Sequence, residues 1–400
     1  MVAVDLGASP QPFTKLARKV VLLAGDDSSV LSHCRTILRV LGEVAREVVV
    51  ITASSGRMDE LEGLGPRVID FDCRAFGTAL TQESVTAWRL ARIIEDEDPD
   101  AVHFFGLKTA ALGSMAVKLI KPRHAVLHLP DLGALEAASG SFGWLHRNLA
   151  CKVIGSLTAK PSTFLLTESE QDLALLRDSG IDPGPRFALV GGTGIDIDHY
   201  PVLPPPQNEM PVAAFVGPLT RASGVADLMQ AFDRAWAKGV RLRLELHGEP
   251  EPEEADGIAY AAFAQWMQHP GVRMQPPPAD VRELWRRTDF FVCAAPVRQG
   301  LPRPLLEAAA CGRPLIASDM VGGHGFVRDE VEGLVVPASD PAALAEALER
   351  LARDAGLRAR MGAAARLRVL QGYTDAHVSE TLRNVYRSLL GAVPRRALLG

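Results

Sequence analysis

Short apolar runs alternate with longer amphipathic stretches along most of this chain, and that alternation predicts its elements. Lys19 to Ala24 (KVVLLA) is a continuous apolar run of strand length, as expected of a strand buried on both faces. It feeds GDDSSVLSHCRTILRVLGEVA. There Gly25 is expected to turn the chain, Asp26 to Ser29 to offer caps, and Val30, Cys34, Ile37 and Leu41 to mark the buried side of one helix. Glu47 to Thr52 (EVVVIT) follows as a second strand and completes a βαβ unit. Further strands are expected at Arg67 to Phe71, Ala101 to Phe105, Ala125 to Leu129 and Thr163 to Thr167, with helices between most of them. Polar residues stand at several strand ends: His103, Lys108, His128, Asp131 and Glu168. Ligands of open α/β sheets sit beyond the carboxyl ends of strands, so these side chains are candidates to line one crevice. A satisfied structural role is the alternative for each of them.

The segment PVLPPPQNEMP, residues 201–211, holds five prolines in eleven positions. It cannot continue a helix or a central strand and reads as a stiff linker. Beyond it the alternation resumes. Val212 to Val216 is a strand and Gly217 to Ser223 a loop, and Val225, Leu228, Met229 and Phe232 form the stripe of a helix with one buried face. Strands follow at Arg241 to Leu246, Val272 to Met274, Phe290 to Cys293, Leu315 to Ser318 and Leu334 to Val336. Leu344, Ala347, Leu348 and Leu351 recur at helical spacing as core, while Arg358, Arg360, Arg366 and Arg368 read as the solvated face of a cationic helix. The pattern gives two doubly wound α/β domains, residues 1–200 and 212–374, and a last helix over 375–390.

Composition narrows the function classes. Four hundred residues suit two domains, and 47% apolar with 23% charged residues is the balance of a soluble globular chain. A formal charge of -5 gives no global attraction to nucleic acid. Five cysteines without close pairing point to neither zinc nor a disulfide framework, and read as reduced and cytosolic. No run of 18 or more apolar residues suggests a membrane span, and a Gly-x-Gly-x-x-Gly dinucleotide fingerprint does not follow the first strand.

Candidate chemistry concentrates in DFFVCAAPVRQGLPRPLLEAAACGRPL, Asp289 to Leu315, which reads as strand, loop and helix. A helix opening on a loop with glycine and proline presents unpaired N–H groups and the positive end of its dipole to a phosphorylated or polyhydroxylated ligand; an ordinary βα connection is the other reading. Over Gly300 to Arg303 and Leu305 to Pro314 the wording resembles the donor-sugar segment of family 4 retaining glycosyltransferases, especially their bacterial polysaccharide branch. In that family two acidic residues eight positions apart hold the nucleotide sugar, the first at the sugar hydroxyls and the second at the ribose. Glu307 fills the second place here and Gln299 the first, which keeps hydrogen-bonding capacity and loses the charge. The resemblance extends more loosely to Val30 through His33, to Val102-His103 with Gly106-Leu107-Lys108, and to GTGIDIDHY, Gly192 to Tyr200.

Two loops depart from the family pattern. Pro130 precedes Asp131 where many members carry a histidine, and His128, two residues earlier on the same face of an extended strand, is the candidate substitute or else a core histidine. The loop opening the second domain reads Gly217-Pro218-Leu219-Thr220-Arg221-Ala222-Ser223-Gly224, with Pro218 and Ser223 where the family has its phosphate-binding arginine and lysine. Arg221 is then either a bidentate phosphate ligand or a solvated loop charge, and Ser223 is a candidate helix cap that leaves N–H groups for phosphate.

The resemblance implies an α/β fold of two Rossmann-like doubly wound domains facing a central cleft, the B-type glycosyltransferase fold, with the last helix crossing back to the first domain. It implies donor binding by Gly217, Arg221, Ser223, Gln299, Gly300, Leu301 and Glu307, an acceptor side with His33, His103, Lys108 and Asp131, and catalytic roles for His128, Gln299 and Glu307. No metal and no cofactor beyond a nucleotide-diphospho-sugar co-substrate are implied. The expected reaction is retaining sugar transfer to a saccharide or lipid-linked acceptor in bacterial surface polysaccharide synthesis. The alternative is a catalytically weakened relative that binds a nucleotide or partner without transfer. Phe142 to Lys160 reads as an amphipathic surface helix or as a peripheral contact with the inner face of the plasma membrane, which a lipid-linked acceptor would favour.

Overall fold

Apolar runs form the strands of two sheets in the computed structural model, which describes residues 15–73, 80–120, 123–133, 135, 140–250, 257–276, 278, 280–298, 300–320 and 325–391. The first sheet contains β1 (Ala17–Asp26), β2 (Ala45–Ala53), β3 (Arg67–Asp70), β4 (Ala101–Phe105), β5 (His124–Leu129), β6 (Thr163–Thr167) and β7 (Phe187–Leu189), in the order β3-β2-β1-β4-β5-β6-β7. The second contains β8 (Val212–Val216), β9 (Arg243–His247), β10 (Val272–Gln275), β11 (Phe290–Cys293), β12 (Leu315–Ser318) and β13 (Gly333–Val336), in the order β10-β9-β8-β11-β12-β13. Both are parallel, with Leu22 of β1 between Val50 and His103, and Ala213 of β8 between Leu244 and Phe290. The strand order reverses between β1 and β4 in one sheet and between β8 and β11 in the other. These are the switch points where doubly wound sheets open a crevice at their carboxyl ends.

By contact the chain falls into two compact units, residues 1–127, 157–164 and 379–400 in one and residues 128–156 and 165–378 in the other. In the second unit Leu228, Met229 and Phe232 of the helix Val225–Ala237 are buried in one core with Phe215, Leu244, Phe290, Leu348 and Leu351. Each large side chain so placed contributes about 1.5–3 kcal/mol. Residues 201–207 have no regular structure. Their backbone is tied down by Leu203 N–H donating to Cys311 O and by Arg313 donating to Pro204 O at 2.9 Å. In the first unit the C-terminal part of the helix Asp375–Leu390 is held by Arg383 on Glu43 at 2.7 Å and by Arg39 on Ser379 at 3.0 Å.

Three sequence expectations need correction. Gly25 does not make a turn, because β1 runs on to Asp26, whose carboxylate caps the next helix by accepting Ser29 N–H. The single helix expected after it is two, Asp27–His33 and Arg35–Val44. Cys34 leaves helical geometry at φ -109 and ψ 9 while its N–H still reaches Val30 O. The arginines of the helix Ala355–Leu370 are not simply a solvated face, since Arg358 reaches Leu351 O and Asp289, Arg366 reaches Tyr200 O and Ala310 O, and Arg368 reaches Gly325 O. The short strand β7 was not expected, three residues being too few to give a readable alternation.

Candidate donor site

The second sheet's switch point lies between β8 and β11, and the loops that follow these two strands hold most of the expected donor-binding residues. After β8, Gly217 adopts φ 155 and donates its N–H to His247 O at 3.0 Å. Arg221 is exposed and its carbonyl accepts Gly224 N–H at 3.0 Å. Ser223 does not cap the helix. Its hydroxyl donates back to Thr220 O at 2.8 Å, and the N-cap is Gly224, at φ 79, with no side-chain cap hydrogen bond. The first N–H groups of the helix Val225–Ala237 therefore have no side-chain acceptor from the cap residue, which is the arrangement an anion exploits. A Cβ at Gly224 would lie 1.9 Å from Ala294 O, so the loop after β8 is pressed directly on the loop after β11.

That second loop is clamped from another side. Arg298 pairs with Asp172 at 3.2 Å, both side chains largely buried. A Cβ at Gly300 would lie 2.5 Å from Pro130 O, and one at Gly133 would lie 2.2 Å from Arg298 O, so the turn after β5 packs closely against Arg298 and Gly300. Leu301 N–H donates to Glu168 at 2.7 Å. Gln299 lies outside the described residues. Burial pushes the Glu168 carboxyl well above its ordinary range; Leu301 N–H opposes this, and the charges of Asp172 and Asp131 add to it. Asp131 is raised too, first by burial, against Gly133 N–H and with Asp172. Its Oδ1 accepts Gly133 N–H at 2.8 Å.

Pro302 is the N-cap of the helix Arg303–Ala310, which carries Glu307. Glu307 is 5% exposed. Its Oε1 accepts both the Tyr200 hydroxyl at 2.8 Å and Arg303 Nε at 3.0 Å. Burial raises the Glu307 carboxyl above its ordinary range, while Arg303, Tyr200 and the Trp285 side chain act the other way. Neither Tyr200 nor Arg303 was assigned to the site from the sequence, although both were open to inspection: Arg303 is one helical turn before Glu307, and Tyr200 closes the GTGIDIDHY stretch. Arg298 and Asp172 were missed outright, and Glu168 was noted only as a strand-end residue.

The acceptor-side candidates fare differently. His33 is half-buried at the last position of the helix Asp27–His33, and Lys108 is exposed in the first turn of the helix Leu107–Ile120. His103 is fully buried and its Nδ1 shares a hydrogen bond with the Tyr386 hydroxyl at 2.8 Å, which fastens the last helix to β4. His128 is 1% exposed within β5, and burial holds its imidazole down at about 3. It is a neutral interior residue, as the core-histidine alternative of the two sequence readings has it. Among the described residues no group of three His, Cys, Asp or Glu side chains is placed to hold a metal ion, and no helix is long and apolar enough to cross a membrane. The expected membrane-facing side chains Trp144, Leu145 and His146 lie outside what is described.

Residues 33–190 match the family described as Glycosyl transferase 4-like domain, and residues 210–354 match Glycosyl transferases group 1. Alpha-maltose-1-phosphate synthase of Mycolicibacterium smegmatis is 31% identical over 217 residues, 52% of this chain and 53% of that protein. The capsular polysaccharide biosynthesis glycosyltransferase CapM of Staphylococcus aureus is 27% identical over 183 residues, 46% of this chain and 47% of that protein. The chain thus spans about half the length of the curated relatives it matches. Among solved structures, Anabaena Alr3699/HepE in complex with UDP-glucose superposes with a TM-score of 0.75 at 17% identity, covering 93% of this chain and 100% of that one. Sucrose-phosphate synthase from Thermosynechococcus elongatus gives 0.74 at 19% identity, covering 94% and 100%.

Proposed function

The chain carries a glycosyl transferase 4-like domain and a glycosyl transferases group 1 domain on the B-type glycosyltransferase fold, and from that premise we propose that it transfers a sugar from a nucleotide-diphospho-sugar. The observation that carries the reading is the meeting of the two loops at the β8/β11 switch point, where the helix Val225–Ala237 starts without a side-chain cap; Glu307 is carried by the helix that follows the second loop. A nucleotide lying there has its ribose hydroxyls at Glu307 and its diphosphate at the N–H groups of the helix Val225–Ala237, with Arg221 as the nearby cation. These groups neutralise the leaving diphosphate, the charge that grows most as the glycosidic bond breaks. Gly300 and Leu301 lie at the sugar and phosphate edge. For the Leu301 amide to reach a phosphate oxygen, Glu168 must first release it.

Transfer with retention, to a saccharide or lipid-linked acceptor in bacterial surface polysaccharide synthesis, is the finer reading. It is supported by the wording of Gly300 to Pro314 and by the likeness to CapM. A lipid-linked acceptor would place the protein in the cytoplasm against the inner face of the plasma membrane. A second reading, nucleotide binding without transfer, is favoured by two observations: Glu168 already occupies the Leu301 amide, and His128 is sealed in the sheet. The deciding experiment incubates the protein with a panel of nucleotide sugars, with and without bacterial lipid extract, and follows nucleoside diphosphate release together with the anomeric configuration of the product. Release that depends on the extract supports transfer. Binding with no release across the panel supports the second reading, and an inverted product removes retention.

A further inference from the structure

We propose that Tyr200 is a positioning residue: its hydroxyl fixes the Glu307 carboxylate so that the second carboxylate oxygen is presented to the ribose diol of a bound nucleotide. The inference rests on the assignment of Glu307 to the ribose made above.

The geometry carries it in three steps. Two donors converge on one oxygen of Glu307, the Tyr200 hydroxyl at 2.8 Å and Arg303 Nε at 3.0 Å, and together they set the plane and rotation of the carboxylate. They are not equivalent. Arg303 reaches Glu307 on a long stem whose side chain keeps 29% exposure, so it has more torsions to order than a short, rigid donor. Tyr200 is 4% exposed, has two torsions, and is braced edge-on by His199 at 4.9 Å between ring centroids. Finally, Arg366 Nη1 donates to Tyr200 O and to Ala310 O, both at 2.8 Å. One guanidinium thereby ties the backbone that carries the hydroxyl to the last residue of the helix that carries the carboxylate.

A carboxylate recognises a vicinal diol by accepting two hydroxyl protons in a defined plane, so an orientation held before binding lowers the ordering cost of the complex. Without the Tyr200 hydroxyl, Glu307 still folds into place beside Arg303 but loses its fixed rotation. The consequence should fall on the ribose hydroxyls and nowhere else on the nucleotide.

The test compares Tyr200→Phe, which keeps the ring and its packing, with the unaltered protein. UDP, GDP and ADP, each beside its 2′-deoxy counterpart, are titrated calorimetrically into both. In the unaltered protein the best-binding ribonucleotide should lose affinity when the 2′-hydroxyl is removed. In Tyr200→Phe the same ribonucleotide should bind about tenfold more weakly, the scale of a hydrogen bond to a charged group, while the 2′-deoxy form, which keeps only its 3′-hydroxyl for Glu307, loses distinctly less. Equal weakening of both forms would mean a general packing defect and would overturn the proposal, as would unchanged binding of the ribonucleotide. Failure of the underlying donor-site reading looks different. The unaltered protein would then bind none of the three nucleotides, or would bind them with no preference for the 2′-hydroxyl, and the role of Tyr200 would fall with it.

Discussion

Replacing Glu307 by alanine separates what this carboxylate does for the fold from what it does for a ligand. The substitution removes an acceptor shared by two donors. Tyr200 is left with a buried hydroxyl and no carboxylate, a cost of about 1–3 kcal/mol. Arg303 loses this carboxylate as well, but its partly exposed guanidinium regains water, so this loss stays below the about 3–5 kcal/mol of a fully buried pair. Against both stands the burial that holds Glu307 above its ordinary range, because removing the carboxylate recovers part of that desolvation cost. The balance is a destabilisation of roughly 2 kcal/mol, read from urea unfolding. Nucleotide binding should lose a charge-assisted contact of about 1.5–3 kcal/mol, ten- to over a hundredfold in Kd, read by calorimetric titration of the folded variant. A folded Glu307→Ala protein with unaltered nucleotide affinity would refute the ribose assignment.

Other consequences are as direct. Because burial raises the Glu307 carboxyl, nucleotide binding that needs its charged form should be complete above that raised pKa. It should be lost as pH falls through it, at a pH above the ordinary glutamate range; a Kd that is flat across that range in calorimetry would contradict this. Glu168→Gln keeps an acceptor for Leu301 N–H and drops a charge that the folded state holds at a cost, so it should stabilise the protein at pH 8. The gain should shrink as pH falls, because protonation of Glu168 relieves the same cost in the unaltered protein; unfolding curves at several pH values check the sign. Gly224→Ala should cost at least about 2 kcal/mol, since its Cβ would meet Ala294 O at 1.9 Å from a backbone at φ 79. Ser223→Ala should leave nucleotide affinity within about twofold, its hydroxyl being spent on Thr220 O and not on the helix start. A tenfold loss there would return Ser223 to the phosphate site.

Much of the fold was legible because strands buried on both faces are short, unbroken apolar runs. KVVLLA, EVVVIT and FFVC could be read directly, and the repeated βα units pointed to parallel sheets, whose strand order only the structure supplies. What escaped was decided by tertiary contacts. The break at Cys34 leaves the periodicity of Val30, Ile37 and Leu41 untouched, so no local pattern marks it. Arg366 has the sequence surroundings of a surface residue, and only the approach of Tyr200 and Ala310 gives its guanidinium two carbonyls. His103 and His128 stand at strand positions that alternate between faces, and the pattern alone does not say that both are covered. Within the candidate donor site, the place of Glu307 on a helix opening after Pro302 was readable from the motif around it. Its partners came from residues 107 and 4 positions away, and only the nearer of these lies within reach of helical spacing.

A nucleotide seated at the β8/β11 switch point should rest its ribose on Glu307, and a crystal structure with the ribonucleoside diphosphate that binds best reads that placement. Ribose hydroxyls are expected within hydrogen-bonding distance of the Glu307 carboxylate, and phosphate oxygens at the first N–H groups of the helix Val225–Ala237. A nucleotide bound elsewhere, with Glu307 still closed on Tyr200 and Arg303 and no ribose beside it, would remove both assignments.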